Sequence, residues 1–215
     1  MTAPITSLQK LINLGSNALC ERGPTLSDAN LRFAGGLGYD FLALLNCKNG
    51  FFAFESALQL FPSATTDKSM GLDQWNKPDG WRSAYGIMAE ACLFFAQDIF
   101  GCQFCIYEDK IWSFDPETGL KQFIATSLEA WATALLDDFA VVTGYSIANA
   151  WQQQNGRLPV LNRLVPKTPF VCNGAFDLPN LYSMDAEASM KARAEFALQI
   201  KNLPDGSQFS FHFDT

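Results

Sequence analysis

The feature that most constrains this chain is the shortness of the gaps between four apolar runs. Cys92–Asp98, Phe104–Tyr107, Ile111–Phe114 and Leu120–Ala125 are each rich in aromatic and β-branched residues. Gly101, Asp109-Lys110 and Asp115-Pro116-Glu117-Thr118-Gly119 separate them. A parallel crossover needs about a dozen residues or more, so these runs can pair only as an antiparallel meander. In the last turn Pro116 presets its own φ and Gly119 supplies a left-handed position. Thr126-Ser127-Leu128-Glu129 then has the form of a capping box, with Thr126 as N-cap and Glu129 three residues on. Leu128, Trp131, Leu135, Leu136 and Phe139 follow on one helical face, which predicts a helix lying across the meander. The fold class expected is α+β, an antiparallel meander sheet covered by helices.

Upstream, the stretch from Gly35 to Pro62 reads as a helix running into a strand pair. Gly35-Gly36 breaks what precedes, Asp40 is placed to cap the helix, and Phe41, Leu44 and Leu45 mark its buried face. Lys48 suits the negative end of the helix dipole, and Asn49-Gly50 tolerates the left-handed exit. Phe51-Phe52-Ala53-Phe54 is a buried strand or an aromatic turn, with Glu55 inside the aromatic run. Before it, Ile5, Leu8, Leu11 and Ile12 repeat at helical spacing up to Gly15. After it, residues 63–81 form an irregular loop whose Trp75 and Trp81 either plug the core or present a binding surface.

Residues 1–139 therefore read as one unit and 140–215 as a C-terminal α/β extension packed on it. The extension has a helix from Ala140 to Gln154, weakened by Gly144 and ended by Asn155-Gly156. A proline-rich extended part follows, in which Val165 and Phe170-Val171-Cys172 suit an edge strand. A second helix over Asp185–Asn202 turns Met190, Ala194, Ala197 and Leu198 inward. Phe209, Phe211 and Phe213 alternate with polar residues as a terminal strand.

Hydrophobic residues make up 48% of the 215 and charged residues 17%, which is the balance of a folded chain. The net charge of −7 repels phosphate, so neither nucleic acid nor an anionic membrane is an expected partner. It favours basic partners by steering. No secretory leader or spanning apolar run is legible, so a cytoplasmic location with six free thiols is expected. The single histidine, His212, lies near a chain end and suits a spectator better than a triad member or zinc ligand. Cys102-Gln103-Phe104-Cys105 has redox spacing but falls on a turn into a strand, where thiols are structural. Gly35-Gly36-Leu37-Gly38 lacks the lysine of a phosphate loop. No cofactor and no metal is expected. Asp115 suits a turn-forming role. Glu55 and Asp98 are harder to set aside, because acids among aromatics cost desolvation unless paired.

The helix ending in Asn49-Gly50, the aromatic run with its acid, Phe94-Phe95-Ala96-Gln97-Asp98-Ile99-Phe100-Gly101 and Phe114-Asp115-Pro116-Glu117-Thr118-Gly119 carry a resemblance. In order and spacing, from about Leu31 to Leu136, they resemble the SUKH superfamily of fungal cell-wall assembly and killer-toxin-resistance regulators and bacterial immunity proteins. The resemblance implies a protein-binding domain without catalytic residues, here an immunity protein that sequesters a cognate, basic toxin. The residues expected at the interface are Glu55, Asp98, Phe51, Phe52 and Trp81. The alternative is a regulatory scaffold that binds a cellular protein, and a more distant one is a hydrolase using Glu55 and Asp98 as a carboxylate pair.

Overall fold

A computed structural model describes residues 5–204. The terminal strand expected over Phe209–Phe213, and His212 with it, lie outside the described residues. Helix α1 (Ser7–Leu14) opens the fold, and α2 (Asp28–Ala34) and α3 (Gly38–Cys47) follow. Strands β1 (Phe51–Ala53) and β2 (Leu58–Leu60) make a hairpin. Short helices α4 (Leu72–Trp75) and α5 (Trp81–Tyr85) lead to β3 (Leu93–Asp98), β4 (Gln103–Tyr107), β5 (Lys110–Phe114) and β6 (Lys121–Ala125). The six strands lie in sequence order and every neighbouring pair is antiparallel, so the meander is as the short gaps require. Helices α6 (Leu128–Asp137), α7 (Phe139–Val142) and α8 (Tyr145–Asn155), a two-stranded sheet of β7 (Asn162–Pro166) and β8 (Leu181–Asp185), and α9 (Ala186–Ile200) complete the chain. None of the helices among the described residues is long and apolar enough to cross a membrane.

Helices cover both faces of the sheet. On one, Phe95 of β3 meets Phe41 of α3 with ring centroids 5.5 Å apart, and Trp131 of α6 meets Phe95 and Phe104 at 5.0 and 5.6 Å. On the other, Trp81 of α5 packs on Phe94 at 4.8 Å, and Trp75 of α4 packs on Phe61 at 4.8 Å. Helix α9 joins this second layer, and its Ala186, Met190, Ala194 and Ala197 belong to the same continuous core as the sheet. The extension also has its own apolar cluster, in which Trp151, Leu158, Leu164 and Leu181 close around Ile99 and Phe100 of the β3–β4 turn.

The second face carries a polar seam. Gln59, Gln97 and Gln103 stand opposite one another on β2, β3 and β4, and none is more than 2% exposed. Gln103 accepts from Trp75 Nε1 at 2.9 Å and donates to the Gly101 carbonyl at 2.7 Å. Gln59 donates to Ser69 Oγ at 2.8 Å and accepts from the buried guanidinium of Arg163 on β7. Buried amides are tolerated because each finds a partner.

Several local expectations are corrected by longer-range partners. Asp40 falls inside the first turn of α3, which Leu37 precedes. The amide of Gly36 is taken instead by Asp109 of the β4–β5 turn, at 2.6 Å. Lys48 lies just past α3 and donates to the carbonyls of Ile12 and Gly15, at 2.5 and 3.1 Å. It therefore serves the negative end of α1 rather than of α3. Ser127, not Thr126, caps α6. Glu129 does not fold back on its own helix but accepts from the amides of Ser7 and Leu8, at 2.6 and 3.1 Å. Gly144, at φ 68°, splits the helix expected from Ala140 into α7 and α8. Phe170–Cys172 is a 3-10 turn rather than part of the strand that holds Val165, and Leu198 faces solvent.

Glu129 and Lys48 thus hold the two ends of α1 from different elements. Glu129→Ala should lower stability by about 1 kcal/mol, the usual cost of a lost N-terminal cap. Hydrogen exchange should localise the loss to the amides of α1. Unchanged protection there would show that packing alone fixes this helix.

Candidate functional site

The five residues expected at an interface fall into three environments. Phe51 and Trp81 are 0% and 1% exposed and sit in the core, so they present no surface to a partner, which corrects the expectation for both. Phe52 is 9% exposed and shows only a small face, in a recess it lines with Leu19 and Leu158. The aromatic run is a strand whose outer edge the chain itself covers, with Ser16 N donating to the Phe52 carbonyl at 2.7 Å and Leu19 N to Gly50 at 2.9 Å. Trp81 is wedged among Trp75, Tyr85, Phe94 and Phe114.

Glu55 stands exposed at the tip of the β1–β2 hairpin. Phe54, Glu55 and Ser56 have φ of 52°, 53° and 73°, a left-handed run that costs roughly 1–2 kcal/mol per residue for L side chains. Helix α8 holds this tip: Asn149 Nδ2 donates to the Glu55 carboxylate at 2.9 Å, and Gln152 Nε2 to its carbonyl at 3.2 Å. Phe54 stacks on Phe139 with centroids 4.7 Å apart.

Asp98 ends β3 and closes the turn into β4. Its Oδ1 accepts from the amides of Phe100 and Cys102, at 2.8 and 2.9 Å. Burial raises its pKa to about 7, and the two amides, Arg193 and Arg163 only partly offset that rise. Glu55 is not among the groups that act on Asp98, and the two acids share no hydrogen-bond partner among the described residues. The structure does not assemble them into a carboxylate pair.

The second oxygen of Asp98 accepts from none of the described residues, and Asp98 lines a groove of about 350 Å³ on the α6 side of the sheet. Phe104 and Ser113 of β4 and β5, Phe123 and Ile124 of β6, Leu135 of α6 and Val142 of α7 supply most of its surface. Among the described residues Asp98 is its only charged lining residue, and Cys102 lies beside it. Trp131 also lines the groove, and its buried indole N–H has no hydrogen-bond acceptor among the described residues.

Strand β6 borders the groove and is the free edge of the sheet. It pairs with β5 alone, and among the described residues no other backbone hydrogen bond reaches Lys121–Ala125. Phe123 on this edge is 49% exposed and Leu120 just before it is 69% exposed, and the Phe123 ring lies edge-on to Trp112 at 5.7 Å, on the face of the sheet that carries α5. Sequence reasoning passed over these residues. The available signal was topological, since the last strand of a meander has one neighbour and Phe123-Ile124 breaks the alternation of a half-buried strand.

No family model and no curated protein matches this chain. Among solved structures, its fold is similar to the crystal structure of Atu4351 from Agrobacterium tumefaciens. The two share 12% identity with a TM-score of 0.52, and the match covers 86% of each chain.

Asp98 has a sign-defined effect on stability. Between an ordinary aspartate value near 4 and about 7, the unfolded chain is ionised while the folded one keeps its proton. The stability from this linkage is full below about 4 and is lost as pH rises to about 7. Asp98→Asn keeps an oxygen for both turn amides and cannot ionise. From pH 5 to pH 8 it should therefore gain on the order of 2 kcal/mol relative to wild type in denaturant titrations. Asp98→Ala, which strands two amides, should be destabilised at every pH. Parallel pH profiles for wild type and Asp98→Asn would contradict the raised pKa.

Proposed function

We propose that this chain is a non-catalytic protein-binding domain of the SUKH type, acting in the cytoplasm as an immunity protein that neutralises a toxin by binding it. The observation that carries the reading is the apolar groove beside the unpaired edge of β6. A free strand edge with an exposed aromatic and an adjoining apolar recess is a surface that a partner chain can extend and fill. The motif order that resembles the SUKH superfamily lies on this same sheet, from α3 through the β5–β6 turn. Of the residues first expected at the interface, Asp98 remains in the groove and Glu55 remains as an exposed carboxylate at the hairpin tip. Phe123, Leu120 and the lining of the groove take the place of Phe51, Phe52 and Trp81. A net charge of −7 suits a basic partner, such as a toxin that must itself bind phosphate.

The first test is whether a neighbouring gene encodes a toxin domain, and the second is co-expression of this chain with that domain. Wild type should restore growth, and Phe123→Glu, a change at a half-exposed edge position, should abolish protection while leaving thermal unfolding unchanged. Full protection by Phe123→Glu would remove the β6 edge from the interface. Failure of wild type to protect would remove the immunity reading. With the purified pair, association should slow severalfold as salt rises from about 0.05 to 0.3 M, across the range where the Debye length falls through about 10 Å. Dissociation should change far less. An association rate insensitive to salt would leave the acidic surface with solubility as its only role.

A further inference from the structure

We infer that the groove between β6 and α6 is a recognition site for a lysine or arginine side chain presented by an extended segment of the partner protein, with Asp98 as the anchoring acid. The inference rests on the reading of this face as the docking surface and assigns what enters it. Three observations carry it.

First, the lining is mainly apolar, with Ser113 and Gln122 as its neutral polar side chains and Asp98 as its acid. Phe104, Leu135 and Val142 would clasp the aliphatic stem of a long basic side chain, which buries its methylenes readily. The acid of the described lining is Asp98, one of whose oxygens is committed to the Phe100 and Cys102 amides and whose ionised form a docked cation would favour. The other oxygen is left for a donor from outside. A charged hydrogen bond in a dry recess is among the stronger polar contacts available to an interface.

Second, acids gather at one side of the groove. The Cys102 thiol on the groove lining is pushed up by burial and then by Asp98 and Asp115, with Arg193 opposing and Glu117 adding to the rise. Arg193 and Arg163 act on Asp98 itself from the opposite face of the sheet, so a docking cation must reach the carboxyl from the groove side. Helix α6 supplies further acids there. Its last turn carries no cation and ends in Asp137, with Asp138 next, where the helix dipole is already negative. These two exposed acids connect the lining residues Leu135 and Val142. An acidic helix end is locally unfavourable and becomes favourable when a cation docks against it.

Third, the entrance lies along a strand edge. A segment paired to the free side of β6 would run past the groove and point alternate side chains to one face. The volume of about 350 Å³ holds one long side chain and part of a neighbour.

The experiment uses the whole chain and four capped extended pentapeptides, Val-Thr-X-Val-Thr, with X as lysine, arginine, norleucine or glutamate. Binding is followed by heteronuclear NMR at the Trp131 indole and the amides of β6. The lysine and arginine peptides should bind about tenfold or more tighter than norleucine, and glutamate should bind most weakly. Asp98→Asn should erase the advantage of the basic peptides and leave norleucine unchanged. Should that variant fail to fold, Ser113→Lys places a competing ammonium in the groove without touching the turn and should produce the same selective loss.

Equal binding of basic and neutral peptides at the β6 edge, or discrimination that survives both substitutions, overturns the inference while leaving the edge as a docking surface. Absence of binding by all four overturns it as well. The wider reading is then judged separately by the growth protection of Phe123→Glu.

Discussion

The turn from Asp98 to Cys102 is the point on which the two parts of the chain depend. Asp98 Oδ1 holds the Phe100 and Cys102 amides, and the Asp98 amide in turn donates to the Cys102 carbonyl at 3.0 Å. The turn so fixed offers every C-terminal element something to grip. Ile99 N donates to Thr143 after α7, and Leu164 N of β7 donates to the Ile99 carbonyl at 2.9 Å. Arg193 of α9 donates to the Phe100 carbonyl at 2.6 Å. The side chains of Ile99 and Phe100 fill the extension's own apolar cluster. Gly101, at φ 79°, lies so close beneath the Arg193 guanidinium that a Cβ there would collide with it. The extension is therefore built around a plug from the first sheet, and the burial that lets this plug work is what raises the pKa of Asp98.

Among the described residues, Arg82, Arg163 and Arg193 are buried and none is bonded to a carboxylate. Arg82 donates to the carbonyls of Asn76 and Ala89, at 2.9 and 2.7 Å, and lies over the rings of Phe33 and Phe94. Arg193 spends its donors on the Phe100 carbonyl and Ser189, and Arg163 on its own neighbour's carbonyl and the glutamine seam. Carbonyls and amides can satisfy a guanidinium as fully as an acid can, with no second charge to desolvate. The arrangement gives direction rather than bulk stability. Arg163 and Arg193 reach the sheet at particular positions, so sliding the extension by one residue would leave both cations unpaired in a dry interior. The two buried acids, Asp98 and Glu117, hold turn and loop amides instead, with Glu117 accepting from Val171 at 3.0 Å.

What the sequence made legible follows the range of the forces involved. The meander was readable because short gaps admit one pairing, and the turn at Asp115 because its Oδ1 needs only the Glu117 amide two residues on, at 2.8 Å. The caps were half readable. Glu129 and Lys48 are each in a position that suits a helix terminus and Asp109 in one that suits a strand turn, but each serves an element distant in sequence. Local rules see the donor and the acceptor type, not which of several helix ends arrives. The aromatic residues misled for a related reason. Phe51, Phe52 and Trp81 are as exposed in sequence pattern as any binding aromatic, and only the covering of β1 by residues 16–20 and the layering of α4, α5 and α9 bury them. Of the candidate site, Asp98 was legible as an acid out of place. Its groove was not, because residues of β3 to β6, α6 and α7, spread from Asp98 to Val142, come together only in the fold.

The two edges of the sheet show where this chain guards itself and where it does not. At β1 the segment from Ser16 to Cys20 supplies backbone donors to Phe52, Gly50 and Asn49, which leaves little for another chain to pair with. At β6 the protection is slighter: a strand of five residues, one lysine and a register shift opposite Ile111 and Trp112. Those devices discourage indiscriminate pairing along a long edge. They do not hide Phe123 or close the recess beside it. A short, bulged edge with one exposed aromatic and one acid behind it is poorly suited to aggregation, which rewards long flat edges, and better suited to a single partner that carries matching groups at matching spacing. On the proposed reading, specificity of that kind would arise because a segment without a donor leaves the Asp98 carboxyl unsatisfied, and an unsatisfied buried polar group costs more than a missing apolar contact.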